Sequence, residues 1–178
     1  LLKSLDEKPQ EHWLRKIHER EDERALKFFL RDKNFNNQEN SEYVLKLLWE
    51  CCQIPDFVKK TYGHHLDVVK TVFNFLKIDG KIPNKYMKKQ LSFLDKTEGN
   101  VDSISNRIAN VRTWSYVANK SKWVDNQDYW IERTKYLEDK LSDSLHDELI
   151  KTFIDKRASV LARGLKQDVS FNTIISDN

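Results

Sequence analysis

The sequence predicts an all-α protein, an irregular bundle of about seven to nine helices arranged as one body or as two lobes. Helix-breaking residues are scarce, since the 178 residues include only four glycines and three prolines. Charged residues make up 33% and hydrophobic residues 39% of the chain, and the hydrophobic ones recur at spacings of three and four. These properties favour packed helices over a β-sandwich or a barrel.

The first part of the chain predicts short helices followed by one core helix. The stretch "LLKSLDEKPQEHWLRKIHEREDERALKFFLRDK" predicts short helices interrupted near Pro9 and around residues 19–22. The asparagine-rich "NFNNQENS" predicts a loop, with Asn40 or Ser41 as a helix cap. The stretch "EYVLKLLWECCQIPDF" has apolar residues at helical spacing and predicts a core helix that ends before Pro55.

Two further helices are predicted in the middle of the chain. The first, "HHLDVVKTVFNFLK", ends at the Asp79–Gly80 turn, and the second, "NKYMKKQLSFLDK", begins after Pro83. The second helix places Met87, Leu91 and Leu94 on one side, and the opposite side carries Lys85, Lys89 and Lys96. These lysines form either an ordinary solvated face or a stripe that follows a phosphate backbone.

A long helix is predicted from about residue 101 to residue 119, after a turn at residues 98–100. Its apolar positions step by three and four and define a seam for a partner helix: Val101, Ile104, Ile108, Val111, Ser115 and Ala118. Trp114 and Arg107 lie beside this seam, with Arg112 and Tyr116 on its other flank.

Two last helices are predicted, one from "NQDYWIERTKYLEDKLSD" with Asn126 or Asp128 as cap, and one from about residue 144 to residue 165. The second has a broad apolar face, in the middle of which lie His146, Arg157 and Gly164. A buried polar group there needs a partner, so we expect either an acidic side chain or a ligand opposite it. The predicted domain spans residues 1–165, with sub-lobes 1–97 and 98–165, and residues 166–178 form a frayed tail.

Net charge is +3 over the whole chain, but the excess is local. Residues 1–60 hold 12 basic and 12 acidic residues, and residues 61–99 hold 7 basic and 4 acidic ones. The cations of this middle region that have few acidic neighbours in sequence are Lys77, Lys81, Lys85, Lys88, Lys89 and Lys96. A local cluster of this kind is where a polyanion would bind.

The sequence lacks the motifs that most common catalytic mechanisms require. The chain has no P-loop, HExxH, CxxC or Gly-x-Ser-x-Gly motif, and adjacent Cys51 and Cys52 predict reduced thiols, at least one of them buried. His64 and His65 have no Cys or acidic partner at metal-ligand spacing. We expect no enzyme activity, metal or cofactor in this chain. The sequence shows no signal peptide or membrane span and begins with Leu1, so we expect a cytoplasmic protein and a piece of a longer chain.

Binding is the function class that remains. Single-strand binders combine cations for the backbone with aromatic rings for the bases. The stretch "RTWSYVANKSKW" and its surroundings supply both, as candidates that include Arg107, Arg112, Trp114, Tyr116, Lys120, Lys122 and Trp123. The alternative is that these aromatic residues are core residues at helical spacing.

Four stretches of this sequence resemble a known family: "LLWECCQIPDF", "DKTEGNVDSISNRIANVRTWSYVAN", "WIERTKYLEDKLSDSLHDELIKTFIDKR" and "SVLARGL". They are similar to the C-terminal region of alphaproteobacterial superfamily-two helicases related to the mitochondrial degradosome RNA helicase. The resemblance is loose before Leu45 and more specific from Asp95 to Leu165. Gly164 departs from the pattern, because arginine is usual there.

The resemblance implies an accessory helical domain of an ATP-dependent helicase that helps to enclose single-stranded RNA or DNA. ATP and Mg²⁺ would bind only to RecA-like domains upstream, and a nuclease is a further implied partner. The expected strand-binding residues are Lys85, Lys88, Lys89, Lys96, Arg107, Arg112, Trp114, Tyr116, Lys120, Lys122, Trp123 and Arg157. The alternative is a protein-docking scaffold that braces the helicase core or recruits a partner without contacting nucleic acid.

Overall fold

The computed structural model describes residues 20–31 and 42–176, and the side chains of these ranges up to residue 164. The described residues form six helices, which we number in chain order as α1 Glu21–Arg31, α2 Glu42–Cys52, α3 Tyr62–Ile78, α4 Asn84–Leu94, α5 Val101–Asn119 and α6 Gln127–Ser176. The all-α class is confirmed. The count in the described part is below the predicted seven to nine, and the interruptions near Pro9 and the asparagine-rich loop lie outside the described residues.

One hydrophobic core joins the six helices. Its largest fully buried side chains include Leu48, Phe73, Met87, Ile104 and Leu137. Each comes from an apolar position at helical spacing in a different helix, which is why the periodic pattern predicts the core. Cys51 and Cys52 are free thiols and both are buried, in agreement with the prediction. The division into two lobes stays a prediction.

The helix starts follow the capping chemistry of the sequence. The Thr61 hydroxyl accepts a hydrogen bond from the His64 backbone N–H at 3.3 Å, and the Asn100 side chain accepts one from the Ser103 N–H at 2.9 Å. Gly99 before α5 has φ +130°, a conformation that side-chain-bearing residues rarely adopt. The boundaries of α5 are therefore those that the sequence predicts.

Helix α4 ends two residues earlier than predicted. Its last residue is Leu94, so Lys96 lies in the loop that follows and not on the helical face with Lys85 and Lys89. Asp95 ends the helix and accepts hydrogen bonds from Arg133 at 2.8 Å and Lys140 at 2.7 Å, both on α6. The hydrogen bond from Lys140 is the largest cause that holds the pKa of Asp95 below its ordinary value. These ion pairs fasten the end of α4 to α6.

A parallel β-bridge between Ile82 and Val124 brings the starts of α4 and α6 together. The Ile82 N–H donates to the Trp123 carbonyl at 2.8 Å, and both Ile82 and Val124 are buried. Near the bridge, the indole N–H of Trp130 donates to the Asn84 side chain at 2.9 Å. The contacts at both ends of α4 show that α4 and α6 run in the same direction.

Helix α6 is continuous over 50 residues, so the predicted break near residue 144 is wrong. No proline or glycine interrupts residues 127–163, and the Ser144 hydroxyl donates to the Lys140 carbonyl within the helix rather than capping a new one. The helix backbone also continues beyond residue 165 to Ser176, where the sequence predicted a frayed tail. The first half packs against α5, and its buried residues include Trp130, Leu137 and Leu141.

The second half of α6 leaves the core. Every described side chain from residue 149 to residue 164, except that of Thr152, is exposed. His146 and Arg157 are exposed as well, so the expectation of a buried polar group in this apolar face is wrong, because the face itself is not buried. Within the described residues, no helix has both the length and the apolar character that crossing a bilayer requires.

Candidate nucleic-acid interface

A surface groove lies where α4 and α6 begin. We call it the α4–α6 groove; it has a volume of about 340 Å³ and is lined by Asn84, Lys85, Lys88, Asn126, Tyr129 and Trp130. The β-bridge between Ile82 and Val124 sets its position, because it joins the two segments that lead into the helices. Asn126 enters α6 with φ +52°, a left-handed conformation that asparagine tolerates better than most residues.

The cations of the α4–α6 groove are free of acidic partners. Lys85 and Lys88 are exposed, and neither forms an ion pair with a described residue. Lys81 differs, because its ammonium group is 2.5 Å from the Asp125 carboxylate. The first turns of α4 and α6 also direct backbone N–H groups towards this end of the molecule, which favours an anion. The groove can therefore receive phosphate groups.

Tyr129 adds an aromatic ring to the groove. Its side chain is 57% exposed, whereas the neighbouring Trp130 is buried and holds it edge-on, with ring centroids 4.9 Å apart. An exposed ring beside two unpaired lysines is the combination that single-strand binders use for a base and its phosphates. Tyr129 is not among the strand-binding residues that the sequence predicts. The signal was present, because Trp130, Leu137 and Leu141 share one side of α6 and Tyr129 lies about 100° away from it.

Two other predicted lysines of this region, Lys89 and Lys96, do not line the groove. Lys89 is exposed on α4, one position after Lys88, and forms no ion pair with a described residue. Lys96 is exposed in the loop after α4, where its carbonyl accepts a hydrogen bond from Arg107 at 2.7 Å. Arg107 thereby holds the loop before α5. Lys89 extends the row of cations on α4, whereas Arg107 has a structural role because it holds the loop between α4 and α5.

The tryptophans of "RTWSYVANKSKW" are packing residues. Trp114 is 4% exposed and packs edge-on against Tyr86 with centroids 5.7 Å apart, and Trp123 is 5% exposed. A base cannot stack on a ring that the core already covers. Arg112 donates to the Glu138 carboxylate at 2.7 Å. This ion pair links α5 to α6 and neutralises the positive charge of Arg112. This stretch is therefore mainly an interhelical junction.

The remaining candidates do not converge on one site. The Lys120 ammonium lies 5.0 Å from the Tyr116 ring centroid and 5.9 Å from that of Trp123, so it is held by cation–π contacts. Lys122 and Trp123 line a separate cavity with Glu50 of α2. Arg157 lies on the exposed half of α6, with its guanidinium 5.5 Å from the Phe153 ring.

A second cavity, of about 190 Å³, lies between α3, α4 and α5, and is not suited to phosphate. Its lining includes two carboxylates, Asp56 and Asp67, and no lysine or arginine. His65 lies there, and burial lowers the pKa of its imidazole below the ordinary 6.5. Residues 20–31 and 42–164 contain no group of three or more His, Cys, Asp or Glu side chains arranged to hold a metal ion.

Comparisons with known proteins add no relative: no family model matches this sequence, no curated protein is significantly similar to it, and no solved structure is significantly similar to its fold.

Proposed function

We propose that this chain is an all-helical accessory domain that binds single-stranded nucleic acid at the α4–α6 groove. The observation that supports the proposal is the meeting of two unpaired lysines, Lys85 and Lys88, with the exposed ring of Tyr129. Lysines neutralise backbone phosphates, and the ring offers a surface on which any base can stack. Binding of this kind is indifferent to sequence and sensitive to salt.

One short segment of a single strand can stack a base on Tyr129 and place its phosphates on the two lysines. All three side chains line the same groove, and Asn84 and Asn126 add hydrogen-bonding groups to its lining. Lys89, one position after Lys88 on α4, extends the row of cations beyond the groove. The site thus accommodates a few nucleotides, which predicts weak binding by the domain alone.

The domain belongs, in this proposal, to a larger ATP-dependent helicase. Support comes only from the resemblance of four stretches of the sequence to helicase C-terminal regions. In such a protein, ATP hydrolysis and Mg²⁺ binding would reside in RecA-like domains, and this domain would hold the strand as it leaves them. The contribution of the domain would be affinity rather than chemistry.

The proposal is tested by fluorescence-anisotropy titration of the chain with a labelled single-stranded RNA at low salt. The double variant Lys85→Glu/Lys88→Glu is expected to lose at least about tenfold in affinity, which corresponds to roughly 1.4 kcal/mol. Lys60→Glu/Lys70→Glu is the matched control, because it changes the net charge equally at two exposed lysines outside the groove. An equal loss in both double variants would show that overall charge, and not the groove, determines binding.

A second function, protein docking, is favoured by a different observation. The exposed half of α6 presents large apolar side chains, among them Phe153 at 60% and Leu161 at 67% exposure. Patches of this kind commonly mark protein interfaces. The scaffold function and strand binding involve different surfaces, and the Lys85 and Lys88 substitutions would leave docking unchanged.

A further inference from the structure

Residues 145–164 of α6, which we call the α6 arm, carry an apolar face that no described residue covers. Its exposed large side chains are Leu149, Ile150, Phe153, Ile154, Val160 and Leu161. At about 100° per residue they fall within an arc of roughly 140° on one side of the helix. The arm is therefore strongly amphipathic.

This face does not continue the buried face of the first half of α6. The centre of the arm's apolar arc is about 170° around the helix from the side of Trp130, Leu137 and Leu141. Those three residues are buried against the bundle. The arm consequently turns its apolar face away from the side that packs on α5, and a different partner is needed to remove it from water.

Charge changes sign along the arm and the turn before it. Residues 141–150 contain three acidic side chains and no lysine or arginine, and the acids are Asp143, Asp147 and Glu148. Residues 151–164 contain four cations and one acid, and the cations are Lys151, Lys156, Arg157 and Arg163. Two such helices attract each other when they lie antiparallel, because the acidic start of each then lies beside the basic end of the other.

Arg157 disfavours the parallel arrangement. It lies near the centre of the apolar arc, with its guanidinium over the Phe153 ring at 5.5 Å. In a parallel, in-register pair the two guanidinium groups would meet at one level inside an apolar seam, where like charges repel strongly. An antiparallel pair with its two-fold axis near residue 155 separates them and brings residues 153 and 157 of opposite copies level.

We propose that the α6 arm is a homodimerisation element that pairs with a second copy of this chain in an antiparallel two-helix interface. A two-fold axis near residue 155 also places residues 149 and 161 level, so large apolar side chains meet on both sides of the axis. Homodimers with two-fold symmetry are the commonest oligomers, and self-complementary charge of this kind fits them. The proposal does not depend on nucleic-acid binding.

Sedimentation equilibrium of the whole chain tests the dimer. Val160→Glu places a charge on the apolar face, and Ser159→Glu places the same charge on the opposite, exposed face one residue away. We expect Val160→Glu to raise the dimer dissociation constant by at least about tenfold and Ser159→Glu to change it less than about threefold. A wild-type chain that stays monomeric at every concentration would overturn the proposal.

Orientation is tested with a spin label on Asp147→Cys. Cys51 and Cys52 are buried, which keeps both thiols protonated and directs labelling to the new cysteine. The antiparallel dimer separates the two labels by 16 residues along the axis, about 24 Å, and a parallel dimer leaves them level. The parallel distance would overturn the proposal.

Two alternative partners for the apolar face of the arm would give different experimental results. Slow hydrogen exchange in the arm of a strict monomer would assign the cover to another part of the same chain. Binding of the monomer to anionic phospholipid vesicles, lost in Val160→Glu, would assign it to a lipid surface. Each of these results would contradict a second copy as the occupant.

Discussion

At the scale of single residues, burial separates the functional candidates from the structural ones. Tyr129 and Trp130 are neighbours, yet one ring is exposed and the other is buried. Trp114 and Trp123 are aromatic residues in a cation-rich stretch, and both are buried too. Aromatic composition therefore cannot identify a stacking site, because Trp and Tyr serve the core as readily as a ligand.

In the proposed function, Tyr129 supplies the stacking surface of the α4–α6 groove, so its ring contributes a measurable part of the binding free energy. Tyr129→Ala is expected to weaken single-strand binding by roughly 1 to 3 kcal/mol, because stacking of one base contributes about that amount. Tyr129→Phe retains the ring and should bind nearly as wild type does. Anisotropy titration of both variants decides the matter, and equal affinity of the alanine variant and the wild type would exclude a stacked base.

His65 makes stability depend on pH in a predictable direction. Burial is the largest cause that lowers its pKa below the ordinary 6.5, and the negative charges of Asp56 and Glu21 act in the other direction. The unfolded chain thus binds a proton at higher pH than the folded chain does. The contribution of His65 to the free energy of unfolding is fully present above about pH 6.5 and is lost as the pH drops below that value.

Urea unfolding at a series of pH values between about 5 and 8 measures this effect. The wild type should lose free energy of unfolding towards the acidic end, and His65→Gln should lose less of it. His64→Gln, at an exposed position in the same turn, is the control. A pH dependence that His65→Gln leaves unaltered would assign the effect to another group.

At the scale of elements, the sequence predicts most helices because their causes are local. Helix α5 begins at the Asn100 cap and ends at Asn119, as its apolar spacing predicts, and α3 ends at the turn before Gly80. No local sequence signal of this kind indicates that α6 is one continuous helix. The apolar positions change sides near residue 145, so the pattern resembles the start of a new helix, and the polar "SDS" at residues 142–144 resembles a cap.

Ser144→Pro distinguishes one continuous helix from two. In a continuous α6, proline at 144 lacks the backbone N–H that would donate to the Lys140 carbonyl, and its ring collides with that carbonyl. The cost is roughly 3 kcal/mol or more. At the first turn of a separate helix capped by Asp143, the same proline would be tolerated. Circular dichroism and urea unfolding should show lost helix and stability, with Ser144→Ala close to wild type; an unaltered proline variant would contradict continuity.

The candidate site is less predictable than the helices because it depends on a contact between distant residues. Lys85 and Lys88 are recognisable from the local excess of cations. Their proximity to Tyr129 requires the bridge between Ile82 and Val124, which are separated by more than 40 residues. Helical periodicity carries no information on that pairing, so half of the groove could not be predicted.

At the scale of the whole molecule, the two proposed surfaces occupy different parts of α6. The α4–α6 groove lies at its start, and the α6 arm begins at Leu145, which still packs against the core, shortly before the helix becomes exposed at residue 149. An antiparallel dimer through the arms would carry two grooves, one per copy. Two weak sites on one strand bind more tightly than either alone when both can be reached.

The most direct test of the central claim is the salt dependence of single-stranded RNA binding, measured by anisotropy between about 50 and 200 mM salt for the wild type and for Lys85→Glu/Lys88→Glu. Each phosphate contact on a single strand contributes a slope of about −0.7 to a plot of log affinity against log salt. The proposal predicts that the double variant has a slope smaller in magnitude by about 1.4, and that the Lys60→Glu/Lys70→Glu control retains the wild-type slope. Equal slopes for the groove variant and the wild type would contradict it.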